Sequence, residues 1–197
     1  MGRPKTYERD EVARKAMELF WLHGFHGTST QALVDHIKIN RYSLFAEFGT
    51  KQGLFEAALA LYESEIVQWY FGALEAPDAG LDELIAVIEF FASAAGTPGT
   101  ERGCLICNSA TERAAHDPVS RNFVESYVNR ISAAIGRALE HAREQGDLRD
   151  DVNTEQESRL LASTLLGFFV LLRAQIEPKI LQSASRAAIE HIKSLQH

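Results

Sequence analysis

Apolar side chains recur every three or four positions along most of the chain, and no stretch keeps the strict alternation of a strand. Val12, Ala16, Leu19 and Phe20 share one helical face, and Gly24 follows as a stop signal. Thr28-Ser29-Thr30-Gln31 reads as a capping box opening a short helix that carries Leu33, Val34 and Ile37. A third short helix is expected after Asn40, a good N-cap residue; it buries Leu44, Phe45 and Phe48 and stops at Gly49. Three short helices therefore occupy the first 50 residues.

From Lys51 the pattern lengthens. Leu54, Ala58, Leu61, Tyr62 and Trp69 keep helical spacing until Pro77 and Gly80 break it, and a second amphipathic run carries Leu84, Ile85, Ile88, Phe91 and Ala92. A short apolar helix holding Cys104 and Cys107 follows. Asp117 as cap and Pro118 at the first helical position then start a long helix with Phe123, Tyr127, Ile131, Ile135 and Leu139 on its stripe. Thr154-Glu155-Gln156-Glu157 reads as a second capping box, opening a helix over 154–173 that is apolar on most of its circumference. A helix greasy nearly all round needs cover on nearly all sides, which a small domain seldom supplies, so a partner helix is implied. A last helix over 179–195 follows Pro178. The fold class expected is all-α, about nine helices, with a three-helix head over 1–50 and a helical body over 51–197.

Composition narrows the class. With 197 residues, 46% hydrophobic and 24% charged, the chain buries one sizeable core and has no signature of disorder. Nothing approaches the roughly 18 to 20 uninterrupted apolar residues of a membrane span, and the N-terminus leads into charged rather than apolar sequence, so a cytoplasmic protein with no membrane contact is expected. The net charge of −7 is uneven. Residues 1–55 hold eight Lys and Arg against six Asp and Glu, a net +2, and the remainder holds twelve against twenty-one, a net −9. An acidic body with a mildly basic head repels a phosphate backbone everywhere except at the head.

Two short capped helices joined by the tight connection Lys38-Ile39, with a preceding helix packed across them, match the layout that places a second helix in the DNA major groove. The exposed side of that second helix carries Asn40, Arg41, Tyr42 and Ser43. Arg pairs guanine bidentately, Asn pairs an adenine edge, and phenol or hydroxyl groups suit phosphates. Thr28, Ser29, Thr30 and Lys51 stand at helix starts, where hydroxyls, backbone N–H groups and the helix dipole hold phosphates. Arg3 and Lys5 lie in a short basic arm that either enters the minor groove or is a disordered terminus.

The segment Gly24-Phe25-His26-Gly27-Thr28-Ser29-Thr30, followed by Ser43-Leu44, Phe48, Lys51 and Leu54 in register, resembles the DNA-binding domain of the TetR family of transcriptional repressors. Phe45 stands where that family usually has a phosphate-touching Tyr, Lys38 where a turn Gly is common, and Tyr42 where Gly or Pro is common. Arg102-Gly103-Cys104-Leu105-Ile106-Cys107-Asn108 resembles the regulatory domain of a subgroup bearing a Gly-Cys-Leu-x-x-Asn segment. The resemblance implies a homodimeric regulator that pairs through the helices 154–173 and 179–195, binds a palindromic operator in double-stranded DNA, and is released by a small-molecule or thiol-reactive inducer.

Cys104 and Cys107 share a helical face near a helix start, beside Arg102, where the dipole lowers a thiol pKa. They are either a reactive thiolate pair or two small buried hydrophobes. The Cys-x-x-Cys spacing also resembles all-helical alkylhydroperoxidase enzymes, but the His those carry four residues on is Thr111 here, so an enzyme reading lacks its base. No phosphate loop, cofactor motif or four-ligand metal spacing is found, and neither cofactor nor metal is expected. An effector pocket is expected with Trp69, Phe90, Phe91, Tyr127 and Phe168 as walls, Cys104 and Cys107 nearby, and Asn108 or Arg113 as polar anchors.

Overall fold

A computed structural model describes residues 8–197, so Arg3 and Lys5 lie outside the described residues. The head holds α1 (Arg9–Gly27), α2 (Thr30–Ile37) and α3 (Arg41–Phe48). The body begins with α4 (Lys51–Tyr62), which runs through a π-helical turn (Glu63–Val67) into α5 (Gln68–Phe71). It continues with α6 (Leu81–Ala94), a 3-10 turn (Thr100–Arg102), α7 (Leu105–Glu112), α8 (Pro118–Glu144), α9 (Thr154–Arg173) and α10 (Pro178–Ser194). With α4, the π turn and α5 counted as one rod, the described residues form nine α-helical rods in an all-α fold. No described helix is long and apolar enough to cross a membrane.

The expected stop and start signals act, with two shifts of one residue. Gly24 breaks α1 at φ 74, ψ 174, leaving a short terminal turn to Gly27. The break frees carbonyls at the end of the helix. The Thr28 hydroxyl donates to one of them, Gly24 O at 2.7 Å, so Thr28 is consumed indoors and Ser29 becomes the N-cap of α2, accepting from the Ala32 N–H. Gln31 then pairs with Asp35 instead of closing a capping box. At α9 the cap shifts the other way, one residue earlier than expected. Asn153 accepts from the Gln156 N–H, and Glu157 reaches His191 on α10 at 2.7 Å. Asn40 caps α3 and Asp117 caps α8 as the sequence implies.

Packing joins the head to the body through α1 and α4, whose rings Phe20 and Phe55 meet edge to face at 4.9 Å, with Phe25 against both. α7 lies across α1 and α8, α8 packs along α9, and α6 packs along α10. Leu161, Leu165, Phe168, Phe169 and Leu172 of α9 are buried within the chain. Leu160 and Val170 on α9 and Ile180 on α10 remain exposed, an apolar surface on the two helices expected to pair with a second copy.

Candidate nucleic-acid interface and effector sites

α3 is fixed to the core by Leu44 and Phe48 and turns its first residues outward. Arg41 is exposed, and Tyr42 is 85% exposed. Asn40 is exposed as well, with its Oδ1 accepting from the Ser43 N–H, so its amide nitrogen remains for a base or phosphate. The half-buried Phe45 ring carries the Arg41 guanidinium 5.8 Å from its centroid, which steadies that side chain on the outer face of α3. Ser29 is exposed and Thr30 half-buried at the start of α2, while Thr50, which the sequence reading passed over, caps α4 through its hydroxyl and is exposed. Lys38 closes α2 in the left-handed region at φ 63, as its place in the turn implies. These residues make one polar face built from the N-termini of α2 and α3 and the turn between them.

Of the remaining expected DNA contacts, one is buried and one leans toward the body. Thr28 is 1% exposed and cannot reach a phosphate. Lys51 is half-buried, with its ammonium 4.2 Å from the Phe25 centroid; burial and the nearby Arg113 charge lower its pKa. It therefore also packs against the joint between head and body.

Polar contacts that no local sequence pattern announces hold that joint together. The Glu112 carboxylate, the last residue of α7, accepts from the Phe25 N–H at 2.9 Å and the His26 N–H at 2.7 Å, just past the Gly24 break. A Cβ at Gly24 would stand 2.7 Å from Glu112 Oε2, so the approach needs a glycine there as well as its positive φ. Arg113 lays its guanidinium 3.7 Å from the Phe25 centroid, pairs with Asp117 at 3.0 Å, and donates to Ser120 and to Gln52 on α4. Arg113 therefore holds head to body and is no pocket anchor.

At the other end of α7, Gly103 adopts φ 62 and passes so close to α9 that a Cβ would lie 2.9 Å from the Phe169 carbonyl. Its own carbonyl accepts from the Trp21 indole N–H at 3.0 Å. Asn108 donates to the Arg102 carbonyl, which folds the loop onto the helix start. Cys104 is the N-cap and wholly buried. Burial pushes its thiol up, but the Cys107 thiol and N–H, with the hydroxyls of Tyr62 and Tyr127, bring it down to about 7. Burial and the neighbouring sulfur push Tyr62 and Tyr127 up, and the bond to Cys104 pushes Cys107 up. The Tyr62 hydroxyl meets no acceptor at ordinary hydrogen-bond length and lies against the Cys104 sulfur. Cys104, Cys107, Tyr62 and Tyr127 thus form one buried polar cluster between α4, α7 and α8.

The expected pocket walls separate into three places. Tyr127 and Phe168 are core residues, with Tyr127 facing the thiols. Trp69 and Phe90 instead line an open groove of about 460 Å³ with Tyr70, Ala73, Asp82, Glu83, Ala86 and Val87. Phe91 lines a narrow inner cleft of about 30 Å³ with Tyr70, Gly103 and Phe169, between that groove and the thiols.

Comparison with known proteins agrees with this architecture. Residues 13–58 match the model for bacterial regulatory proteins of the tetR family, and residues 80–188 match the Tetracyclin repressor-like C-terminal domain. The uncharacterized HTH-type transcriptional regulator YezE of Bacillus subtilis is 30% identical over 92% of this chain and 94% of its own. The HTH-type transcriptional repressor ComR of Escherichia coli is 34% identical over 56% of this chain and 53% of its own. A cysteine mutant of the TetR family transcriptional regulator CifR, complexed with a 26bp double-strand operator DNA, superposes with a TM-score of 0.83 at 25% identity, covering 96% of this chain and 98% of that one.

Proposed function

The chain belongs to the TetR family of bacterial regulatory proteins, DNA-binding transcriptional regulators, and on that premise we propose that it is a cytoplasmic homodimeric repressor released from a palindromic operator by an effector acting on its body. The domains divide at residue 50, although Lys51 and Gln52 of α4 make the joint. The observation that carries the reading is the outer face of α3, where Arg41 and Tyr42 project while Leu44 and Phe48 anchor the helix. Asn40, Arg41, Tyr42 and Ser43 read bases or the flanking backbone, and Ser29, Thr30 and Phe45 position α3 on it. A symmetric pair places two such helices roughly 34 Å apart, or a multiple of that, along one duplex. The exposed Leu160, Val170 and Ile180 form the pairing surface.

The thiol cluster supports the finer placement of this chain in the Gly-Cys-Leu-x-x-Asn subgroup, with Cys104 as a thiolate that reacts with electrophiles or oxidants. An enzyme reading is disfavoured, because the polar neighbours of Cys104 are phenols and a thiol, with no imidazole base among the groups that shift it. α7 carries the signal. It is eight residues long, with Cys104 capping one end and Glu112 gripping the turn of α1 at the other.

The test is fluorescence anisotropy on duplexes from the promoter beside its own gene and on random duplex. Arg41→Ala is expected to weaken specific binding by about 1–3 kcal/mol and to leave random-duplex binding nearly unchanged. Equal loss on both duplexes would show that Arg41 reads no base, and no binding by the wild type would overturn the function.

A further inference from the structure

We propose that the groove between α5 and α6 is a binding site for lipophilic organic cations, of the quaternary ammonium or phosphonium type. The inference rests on the reading that the body takes a small-molecule effector. Trp69 is 69% exposed, Phe90 is exposed and Tyr70 is half-buried. Their rings form one cup, with Trp69 and Phe90 edge to face at 5.4 Å, Trp69 and Tyr70 at 5.0 Å, and Tyr70 and Phe90 at 5.7 Å. Ala73, Ala86 and Val87 line the recess with short side chains, which makes room for about 460 Å³. The π turn at Glu63–Val67 sits directly before these residues. An extra residue in the helical register turns the following face by about 100°, so the turn sets which side of the rod Trp69 and Tyr70 occupy.

Two observations choose a cation over a neutral aromatic. Elsewhere the protein lays its own cations on its rings: Arg9 on Phe48, Arg41 on Phe45, Lys51 and Arg113 on Phe25, and Arg102 on Trp21. Among the described residues no cation of the protein lies over Trp69, Tyr70 or Phe90. The second observation is charge. Asp82 and Glu83 line the same groove; Glu83 is held in place by accepting from the Gly80 N–H at 2.8 Å, and Asp82 is exposed. Ring faces carry negative quadrupole potential, and two carboxylates beside them add to it within a body of net charge −9. A compact ammonium loses too much hydration to enter such a recess. A cation whose charge is wrapped in phenyl or alkyl groups loses little hydration and buries apolar surface against all three rings.

The probe pair is tetraphenylphosphonium and tetraphenylborate, which share shape and differ in the sign of charge, titrated calorimetrically against the full chain. Tetraphenylphosphonium is expected to bind at least about tenfold more tightly than the borate. Trp69→Leu is expected to weaken the cation roughly two- to thirtyfold, and Asp82→Asn to narrow the gap between the two probes. Equal affinity for both probes, no binding of the cation, or unchanged binding in Trp69→Leu would each overturn the proposal. Operator release is scored separately on the same samples. Cation binding without release upholds the groove as a cation site and counts against the effector reading. Release that survives Trp69→Leu assigns the effector site elsewhere and likewise counts against the effector reading.

Discussion

Glu112 tests the joint most directly, because one side chain meets two backbone donors of another element 86 and 87 residues away. A carboxylate takes both N–H groups, one on each oxygen. Glu112→Gln keeps the shape but offers a single acceptor, and its amide NH₂ then faces whichever N–H the oxygen does not. A hydrogen bond to a charged group contributes about 1.5–3 kcal/mol. The His26 N–H is exposed and finds water when released, whereas the Phe25 N–H is partly buried beneath Arg113 and Lys51. Glu112→Gln should therefore destabilise the native chain by about 1.5–3 kcal/mol, and Glu112→Ala by somewhat more, since the Phe25 amide is then left without an acceptor.

Urea unfolding at neutral pH measures the loss. The consequence for regulation is separate and stronger. If α7 links Cys104 to the head, oxidant should release operator from the wild type with a coupling of about 1–3 kcal/mol, and Glu112→Ala should bring that coupling close to zero even though both states still bind DNA. Two results would refute the reasoning: wild-type stability in both variants, or undiminished oxidant-driven release in Glu112→Ala.

Three further outcomes are expected. Lys38→Gly relieves a left-handed lysine at φ 63 and should raise stability by about 0.5–1 kcal/mol in urea; a fall would mean that the lysine side chain holds the turn. Cys104 titrates at about 7 in the fold against 9.0 for an ordinary thiol, so its folded pKa is depressed. The stabilisation this provides is fully present above the unfolded value and is lost as pH falls through about 7. Thiolate ultraviolet absorbance should accordingly rise through pH 7 in the native chain and vanish in Cys104→Ser; a midpoint near 9 would remove the activated thiol. Charging the apolar surface with Leu160→Glu and Val170→Glu should give monomers in sedimentation, and a persistent dimer would place the interface elsewhere.

Local signals carried the fold. Periodicity, Asn40, Gly49, Asp117 and Pro118 set helix ends because a cap acts within four residues of itself. The two misplaced caps, Thr28 for Ser29 and Thr154 for Asn153, fell where several cap-competent residues stand in a row. The choice between them was then made by something outside the motif, such as the carbonyl freed at Gly24. The DNA face was legible for the same reason, since Asn40, Arg41 and Tyr42 lie within one turn of a recognisable helix start. The body was legible only in its elements. Cys104 and Cys107 are plainly neighbours in sequence, but the phenols that activate Cys104 arrive from α4 and α8, and Glu112 meets Phe25 across 87 residues. Aromatic residues posed a further ambiguity. Tyr127, Phe168, Trp69 and Phe90 look alike in a hydropathy pattern, yet the first two are core and the others line a surface groove.

On the proposed reading that α7 carries the signal, its packing decides which way a strain at Cys104 can be relieved. Leu105, Ile106 and Ser109 are buried, and Gly103 is pressed against the Phe169 carbonyl and the Arg173 side chain, so the start of the helix has no room to move sideways. Close-packed interiors yield little to added volume. An adduct on Cys104 must then displace either Tyr62 and Tyr127 or the helix along its own axis. Displacing the tyrosines pushes α4 and α8, which Arg113 ties together through Gln52, Asp117 and Ser120. Displacing the helix pushes Glu112 about 12 Å away against the α1 turn. Both routes end at Phe25, where the rings and cations of the joint meet, so the head is moved whichever way the strain is relieved.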